Sequence, residues 1–283
     1  MKKLLIPVLV GAGLCFAQIS ASAQEFKQHI SKQFTLQSGV VAIYNVYGSI
    51  KVEGYSGNKV IMEIDETISA RDQQTVERGK NEVKLGFDQK PDSVIAYIEK
   101  PYNSKPHHSW HDGDDTEVKY KINLEFTVKV PFNINLRVST INDGQITIND
   151  VYGSLKVNNI NGPITIVNAK STTDAATING ALTVNYLKIP AEASSYKTIN
   201  GEIKVTYPAS LAADLEFKSM NGQFFTDFPD AEVMPGKVIK TQSKSNNGTV
   251  YKLSKNSDVR IGAGGKPFKF ETLNGDIYIK KQQ

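Results

Sequence analysis

Three of the four histidines in this 283-residue sequence fall in one short stretch, Pro106-His107-His108-Ser109-Trp110-His111-Asp112-Gly113-Asp114-Asp115. Imidazole nitrogens and carboxylate oxygens are the donors that hold Zn²⁺ and similar ions. His107, His108 and His111, with Asp112, Asp114 and Asp115, are therefore the place to look for a metal. Their spacing matches no closed site, and histidine-rich tracts take up metal adventitiously. A solvated loop over 103–115 joining two strands is the expectation, and no metal or cofactor is assigned.

Other chemistries find less. Nucleophilic hydrolysis needs a nucleophile, a base and an orienting acid within reach. Here the histidines sit in that one loop and at His29, and there is no Gly-x-Ser-x-Gly elbow. Glycoside cleavage needs two carboxylates across a cleft. Asp143, Asp150, Asp174, Glu202 and Asp276 lie mostly in or beside turns, where Asp closes local hydrogen bonds. Parallel coils do host carbohydrate-cleaving enzymes, so that class stays open on fold analogy alone. Gly262-Ala263-Gly264-Gly265-Lys266-Pro267 has neither the glycine spacing nor the Ser/Thr of a phosphate loop and reads as a turn. Calcium-binding nonapeptide repeats need Asp after Gly-x-Gly, which the turns described next lack. Phe224, Phe225 and Phe228 could stack on sugars, although filling or capping a coil is the expected use. No catalytic residue is assigned, and the chain reads as non-enzymatic.

The elements that would position such groups are written in a repeat. Asn159-Ile160-Asn161-Gly162-Pro163-Ile164-Thr165-Ile166 returns as Thr177-Ile178-Asn179-Gly180-Ala181-Leu182-Thr183-Val184 and as Thr198-Ile199-Asn200-Gly201-Glu202-Ile203-Lys204-Val205. It returns again around Asn221-Gly222 and Asn274-Gly275, and more loosely as Thr140-Ile141-Asn142-Asp143-Gly144. A sister phrase carries Tyr-Gly, at Tyr47-Gly48 and Tyr152-Gly153. Gly144, Gly153 and Gly162 are nine apart, and Gly180, Gly201 and Gly222 are 21 apart. Apolar-x-apolar puts both apolar side chains on one strand face, and Asn-Gly is expected to supply the positive φ of a tight turn. Asn-Gly also suits a hairpin meander. The regular spacing favours stacked coils instead, each ~4.8 Å above the last, with Asn falling above Asn so that amides bond along the stack.

The expected fold is thus all-β: a β-solenoid resembling a single-stranded right-handed β-helix, with turns at Asn161-Gly162, Asn179-Gly180, Asn200-Gly201, Asn221-Gly222 and Asn274-Gly275. One short helix is expected between Arg71 and Leu85, capped by Asp72. Residues 24–132 form an N-terminal β region carrying the 103–115 loop, and 133–283 the repeats, continuous with it.

The N-terminus bears on address. Lys2 and Lys3, an apolar stretch from Leu4 to Ala17, and Ala21-Ser22-Ala23 match a secretory signal over 1–23. The alternative, an uncleaved anchor, needs about 20 apolar residues. Cys15 is the only cysteine and follows Leu14, where lipoprotein processing wants a small residue. Cleavage would leave a chain with no cysteine, which excludes disulfides and thiolate chemistry and suits an oxidising envelope. It would also leave 31 basic against 29 acidic residues, no electrostatic case for nucleic acid or an anionic membrane. No second apolar run is long enough for a transmembrane helix.

Taken as a set, the Asn-Gly-x-Ile-x-Ile repeats resemble the DUF4097 family, whose members carry the label adhesin. The resemblance runs from about Phe34 to Ile279 and includes Asn45-Val46-Tyr47-Gly48-Ser49-Ile50-Lys51-Val52, Val130-Pro131 and the closing Asn274-Gly275-Asp276-Ile277-Tyr278-Ile279. It is similar to the Bacteroidetes-type members and departs from them in the inserted His/Asp loop. The resemblance implies a β-solenoid at the cell envelope, in the periplasm or at the surface, and carries over no catalytic residue. The resulting expectation is an exported binding scaffold or adhesin whose partner is an envelope protein or a glycan. Thr147, Thr165, Thr183 and Lys204 are the contacting residues if a strand face is used. A periplasmic part of an envelope-stress or signalling system, and a carbohydrate-active enzyme, are the alternatives.

Overall fold

The computed structural model describes residues 23–106, 118–235, 238–245, 248–255 and 257–283. Residues 1–22 of the expected signal, and His107, His108 and His111, lie outside them. Apolar alternation punctuated by Gly, Asn and Pro divides the chain into strands. β1 (Gln24–Thr35), β2 (Val40–Tyr44), β3 (Ile50–Tyr55) and β4 (Lys59–Ala70) precede helix α1 (Gln73–Glu82). β5 (Lys84–Lys90), β6 (Ser93–Lys100) and β7 (Lys121–Pro131) follow. A run of short strands comes next: β8 (Asn135–Ser139), β9 (Ile146–Asn149), β10 (Leu155–Asn158), β11 (Ile164–Ala169), β12 (Thr173–Ala176), β13 (Leu182–Tyr186), β14 (Ser194–Lys197) and β15 (Ile203–Tyr207). The C-terminal part holds β16 (Ala213–Asn221), β17 (Phe224–Thr226), β18 (Ala231–Val233), β19 (Val238–Ser245), β20 (Gly248–Lys255), β21 (Ser257–Ile261), β22 (Pro267–Asn274) and β23 (Ile277–Lys281).

The protein is all-β apart from α1 among the described residues. Its strands form two large mixed sheets, with β19 and β20 as a separate ribbon. Sheet A runs β1-β4-β7-β3-β9-β11-β13-β15-β23-β17, and sheet B runs β18-β21-β16-β22-β14-β12-β10-β8-β2-β6-β5. Consecutive strands from β8 to β15 fall in alternate sheets, and each from β8 to β13 pairs in parallel with the strand two places on. A hairpin meander would instead pair consecutive strands antiparallel.

Register explains why apolar-x-apolar suffices as a folding signal. Ile146, Ile164, Leu182, Ile203 and Ile277 lie side by side in sheet A, as do Ile148, Ile166, Val184, Val205 and Ile279. All are buried, and they share one continuous core with the inward residues of sheet B. Burying each such side chain contributes ~1.5–3 kcal/mol, and a one-residue slip would turn a whole strand's set outward.

The order of the stack departs from the sequence. Equal spacing of Gly180, Gly201 and Gly222 implies neighbouring coils, yet β22 and β23 lie between β14/β15 and β16/β17. Each level of the stack uses a turn of the Thr-x-Asn-Gly type, with Asn159 or Ser219 in place of Thr at two levels, and Thr272-Leu273-Asn274-Gly275 supplies one; chain order is no part of that requirement. Antiparallel strands close both ends: β1, β4 and β7 on sheet A and β5 on β6 at one end, β21 and β18 beyond β16 at the other. Helix α1 starts where Asp72 accepts a hydrogen bond from the Thr75 backbone N–H at 2.8 Å. It packs on β1 and β4, with Gly79 pressed so closely on Ile68 and Tyr120 that a Cβ would come within 3.0 Å of both.

Candidate functional site

The repeated turn is a set of three columns running up the stack. In the outermost, each Asn Nδ2 donates to the Oδ1 of the next: Asn161 to Asn142 at 2.9 Å, Asn179 to Asn161 at 2.8 Å, Asn200 to Asn179 at 2.8 Å, Asn274 to Asn200 at 2.7 Å and Asn221 to Asn274 at 2.8 Å. Inside it, buried side chains donate to a glycine carbonyl one level away: Thr140 to Gly48, Asn159 to Gly144, Thr177 to Gly162, Thr198 to Gly180 and Thr272 to Gly201, at 2.9–3.3 Å. Ser219 holds the equivalent place, and its buried Oγ has no partner among the described residues.

The third column is the glycines, and it corrects the expectation about their backbone. Gly162, Gly180, Gly201 and Gly222 are not in the left-handed region; of the Asn-Gly turns only Gly275 has a positive φ, at 152°. What excludes a side chain is proximity. A Cβ on Gly144, Gly162, Gly180, Gly201 or Gly275 would lie 2.0–2.2 Å from the carbonyl oxygen of the glycine in the adjacent level.

The core holds a cluster absent from the sequence reading. Tyr186, Tyr196 and Tyr207 are fully buried, with hydroxyl contacts of 2.7 Å between Tyr186 and Tyr196 and 3.1 Å between Tyr196 and Tyr207. Rings stack around them: Tyr186 on Tyr207, Tyr196 on Phe270, Tyr207 on Phe268. Room for Tyr186 comes from sheet B, where the inward row carries the small buried residues Thr173 and Ser194, the Thr173 backbone N–H donating to Ser194 Oγ at 3.1 Å. Burial pushes all three phenols above the usual tyrosine range, so they stay protonated and serve the core rather than a ligand.

The candidate acids are dispersed. Asp150 accepts from Asn168 Nδ2 at 2.9 Å, and both have positive φ. Asp276 accepts from the Gln223 backbone N–H at 2.8 Å and from the Tyr278 hydroxyl at 3.3 Å. Asp174 is exposed opposite Lys156. His29 bonds Asp65 through Nδ1 and Glu63 through Nε2, each at 2.8 Å; the Asp65 bond, then the Glu63 bond, raises its pKa. No group of three metal-ligating side chains converges among the described residues. Gly262, Gly264 and Gly265 form a positive-φ turn after β21, beside the Arg260–Asp214 ion pair at 2.7 Å. Phe224 packs on Phe217 at 3.8 Å between ring centroids, and Phe228 is buried.

Three surfaces can meet a partner. On the outer face of sheet A, Lys51, Thr147, Thr165, Thr183, Lys204, Tyr278 and Phe225 form one straight row across adjacent strands. It ends in a stacked aromatic pair, Phe225 and Tyr278, whose centroids are 4.9 Å apart, with Phe225 39% exposed. On the outer face of sheet B lies a cavity of about 610 Å³ bounded by Tyr44, Ile95, Lys105, Arg137, Ser139 and Lys156. Lys105 is committed to Asp88 at 2.6 Å. Arg137 and Lys156 are register neighbours, with no carboxylate bonded to either among the described residues. Elsewhere on this face cations are neutralised, as where Lys197 and Lys218 flank Glu271 at 3.5 and 2.7 Å. A second cleft, of about 400 Å³, opens where β7 overhangs the start of β3, lined by Tyr47, Tyr102, Tyr120 and Asp143 among others.

No family model and no curated protein matches the chain in sequence, so the family resemblance stands on the repeat residues alone. Solved structures similar in shape include the following three. One is a candidate cell adhesion protein from Clostridium sporogenes, 10% identical, with TM-score 0.40, covering 91% of this chain and 100% of its own. The second is a candidate adhesin from Bacteroides fragilis, 10% identical, with TM-score 0.33 and coverage of 90% and 97%. The third is a candidate lipid binding protein from Parabacteroides distasonis, 10% identical, with TM-score 0.31 and the same coverages.

Proposed function

We propose that this chain is an exported, non-enzymatic protein of the cell envelope, of the DUF4097 type. Its parallel run is a two-sided β-solenoid that serves as an adhesin or binding scaffold. The observation that carries the reading is the outward row on sheet A, from Lys51 to Phe225, in which each residue is the parallel register partner of the next across six strand pairings, the one register shift, between β11 and β13, falling after Ile166 and beyond the row. A row of that kind is rigid because its strands, apart from the edge strand β17, are bonded on both sides. It repeats a polar contact every ~4.8 Å, and it ends in an exposed aromatic pair of the kind enriched where proteins meet partners. Such a face suits an extended partner, a glycan or another envelope protein. The Asn, Thr and Gly columns, including the turn residues Asn161 to Gly275, are its frame and not its contact surface.

No helix among the described residues is long and apolar enough to cross a membrane. The reading is tested by adding protease to intact cells that make this protein, with a periplasmic marker as control. Cleavage with the marker intact is the expected result. Protection until the outer membrane is opened removes the adhesin role and moves the scaffold to the periplasm.

A further inference from the structure

The first full coil of the repeat breaks its own pattern, and it does so beside a cleft. Where the other coils read Asn-Gly, this one reads Asn142-Asp143-Gly144. Both flanking residues keep their columns. Asn142 accepts from Asn161 at 2.9 Å, and a Cβ on Gly144 would lie 2.1 Å from the Gly48 carbonyl oxygen. The extra residue is therefore extruded, with φ of 55°, a left-handed conformation that Asp tolerates at a cost. Among the described residues, the other two non-glycine residues with positive φ, Asp150 and Asn168, bond each other. Asp143 bonds nothing among the described residues and lines the cleft of about 400 Å³.

The rest of the cleft has the same character. Tyr47 is the register neighbour of Asn142, and Tyr102 lies on the chain after β6; both are half-buried in the wall. The Tyr102 phenol is pushed up to about 12 by burial and then by Tyr47, so it remains a neutral donor. The Tyr120 hydroxyl is already committed to Glu82 at 3.0 Å. Thr67 and Ser69 on β4 and Lys121 on β7 add side chains with no partner among the described residues. One carboxylate, two phenols, two hydroxyls and one ammonium thus converge, uncommitted, at a recess between the antiparallel end and the parallel run. Recesses with a few convergent polar groups are where small ligands bind.

We propose that this cleft is a binding site for a neutral sugar residue of a glycan. A carboxylate accepts paired hydrogen bonds from neighbouring hydroxyls, hydroxyls and ammonium donate to ring and hydroxyl oxygens, and phenol rings cover the apolar C–H face of a pyranose. The cavity on sheet B, edged by Arg137 and Lys156, lacks a carboxylate in its wall and suits an anion instead. The assignment rests on the binding reading above and deepens it.

The test is an array of printed neutral and acidic glycans, probed with the chain from Gln24 to Gln283, with Kd then measured for the best neutral oligosaccharide. Asp143→Asn keeps the size and the turn preference, and is expected to weaken binding about tenfold or more, the worth of hydrogen bonds to a charged group. Tyr102→Ala is expected to do the same, and Arg137→Ala to leave Kd unchanged, with unfolding midpoints confirming that each variant is folded. Absence of neutral-glycan binding overturns the proposal. So does neutral-glycan binding that survives Asp143→Asn and Tyr102→Ala in folded protein. Loss with Arg137→Ala instead overturns the cleft while leaving a binding protein.

Discussion

Replacing Gly180 by alanine separates two explanations of why glycine recurs in the turn. Gly180 does not have positive φ, so its backbone accepts alanine, and loss of freedom in the unfolded chain would then stabilise the protein by ~0.4–1 kcal/mol. Packing predicts the opposite sign. The new methyl carbon would sit 2.2 Å from the Gly162 carbonyl oxygen and 2.5 Å from its carbon. Both are backbone atoms, held by bonds on both sides, so the two levels must part locally by ~1 Å before the contact reaches an ordinary distance. Three bonds cross or adjoin that gap: Thr177 Oγ1 to Gly162 O at 2.9 Å, Asn179 Nδ2 to Asn161 Oδ1 at 2.8 Å and Asn179 N to Ile160 O at 2.8 Å. Each would stretch past useful hydrogen-bond length. At ~1 kcal/mol per bond, less the unfolded-state gain, the net cost is about 2 kcal/mol, or roughly 4–8 °C in Tm for a chain of this size. Asn179→Ala provides the comparison. It removes the two ladder bonds of Asn179, to Asn161 and from Asn200, both exposed and replaceable by water, and should cost less than about 1 kcal/mol. Urea unfolding followed by circular dichroism reads both. A Gly180→Ala protein as stable as the parent, or more so, refutes the packing account. An Asn179→Ala cost larger than that of Gly180→Ala would move the weight to the amide ladder.

Two further predictions concern the interior. Tyr196→Phe removes the hydroxyl between Tyr186 and Tyr207 and strands the buried Tyr207 phenol; denaturant unfolding should show a loss of about 1–3 kcal/mol, and an unchanged midpoint would mean the hydroxyl chain contributes nothing. Glu66 is buried on β4, faces Gln28 from β1, and burial raises its pKa above the usual 4.5, with the Gln28 bond opposing. The folded state therefore holds its proton more tightly than the unfolded chain, and the stability present below the unfolded value is lost as pH rises through the raised folded value. Glu66→Gln should match the parent in acid and exceed it at neutral pH, and the idea fails if the difference between the two proteins does not grow as pH rises.

The alternation of the sheets was legible because period two is forced by geometry. Ile164-x-Ile166 and Leu182-x-Val184 each specify a face, and equal spacing specifies stacking. Asp72 as the start of α1 was legible for a similar reason, since its side chain meets a local need within its own turn. The position of β22 and β23 was not. Any coil bearing the Thr-x-Asn-Gly turn fits any level, so the repeat that announces the stack erases the information about its order. The role of glycine was misread for the same cause. Local turn chemistry explains one Asn-Gly, while the crowding of Gly180 on Gly162 is a property of two levels together.

The site was hidden by a different limit. Uniform repeats direct attention to what recurs, and here the recurring residues bond one another: Asn to Asn, Thr to glycine carbonyl, glycine against glycine. A side chain that bonds its neighbour has less left for a ligand. Within the turns, a fully uncommitted group is found where the repeat is broken, and Asp143 is such a break, a residue the stack expels while keeping Asn142 and Gly144 in place. Its companions Tyr102, Thr67 and Lys121 come from segments far apart in the sequence, brought together because β7 runs on past β3 and leaves a step. The one-residue insertion was visible in the sequence as a looser copy. Its meaning required knowing that the turns on either side of it stay in register.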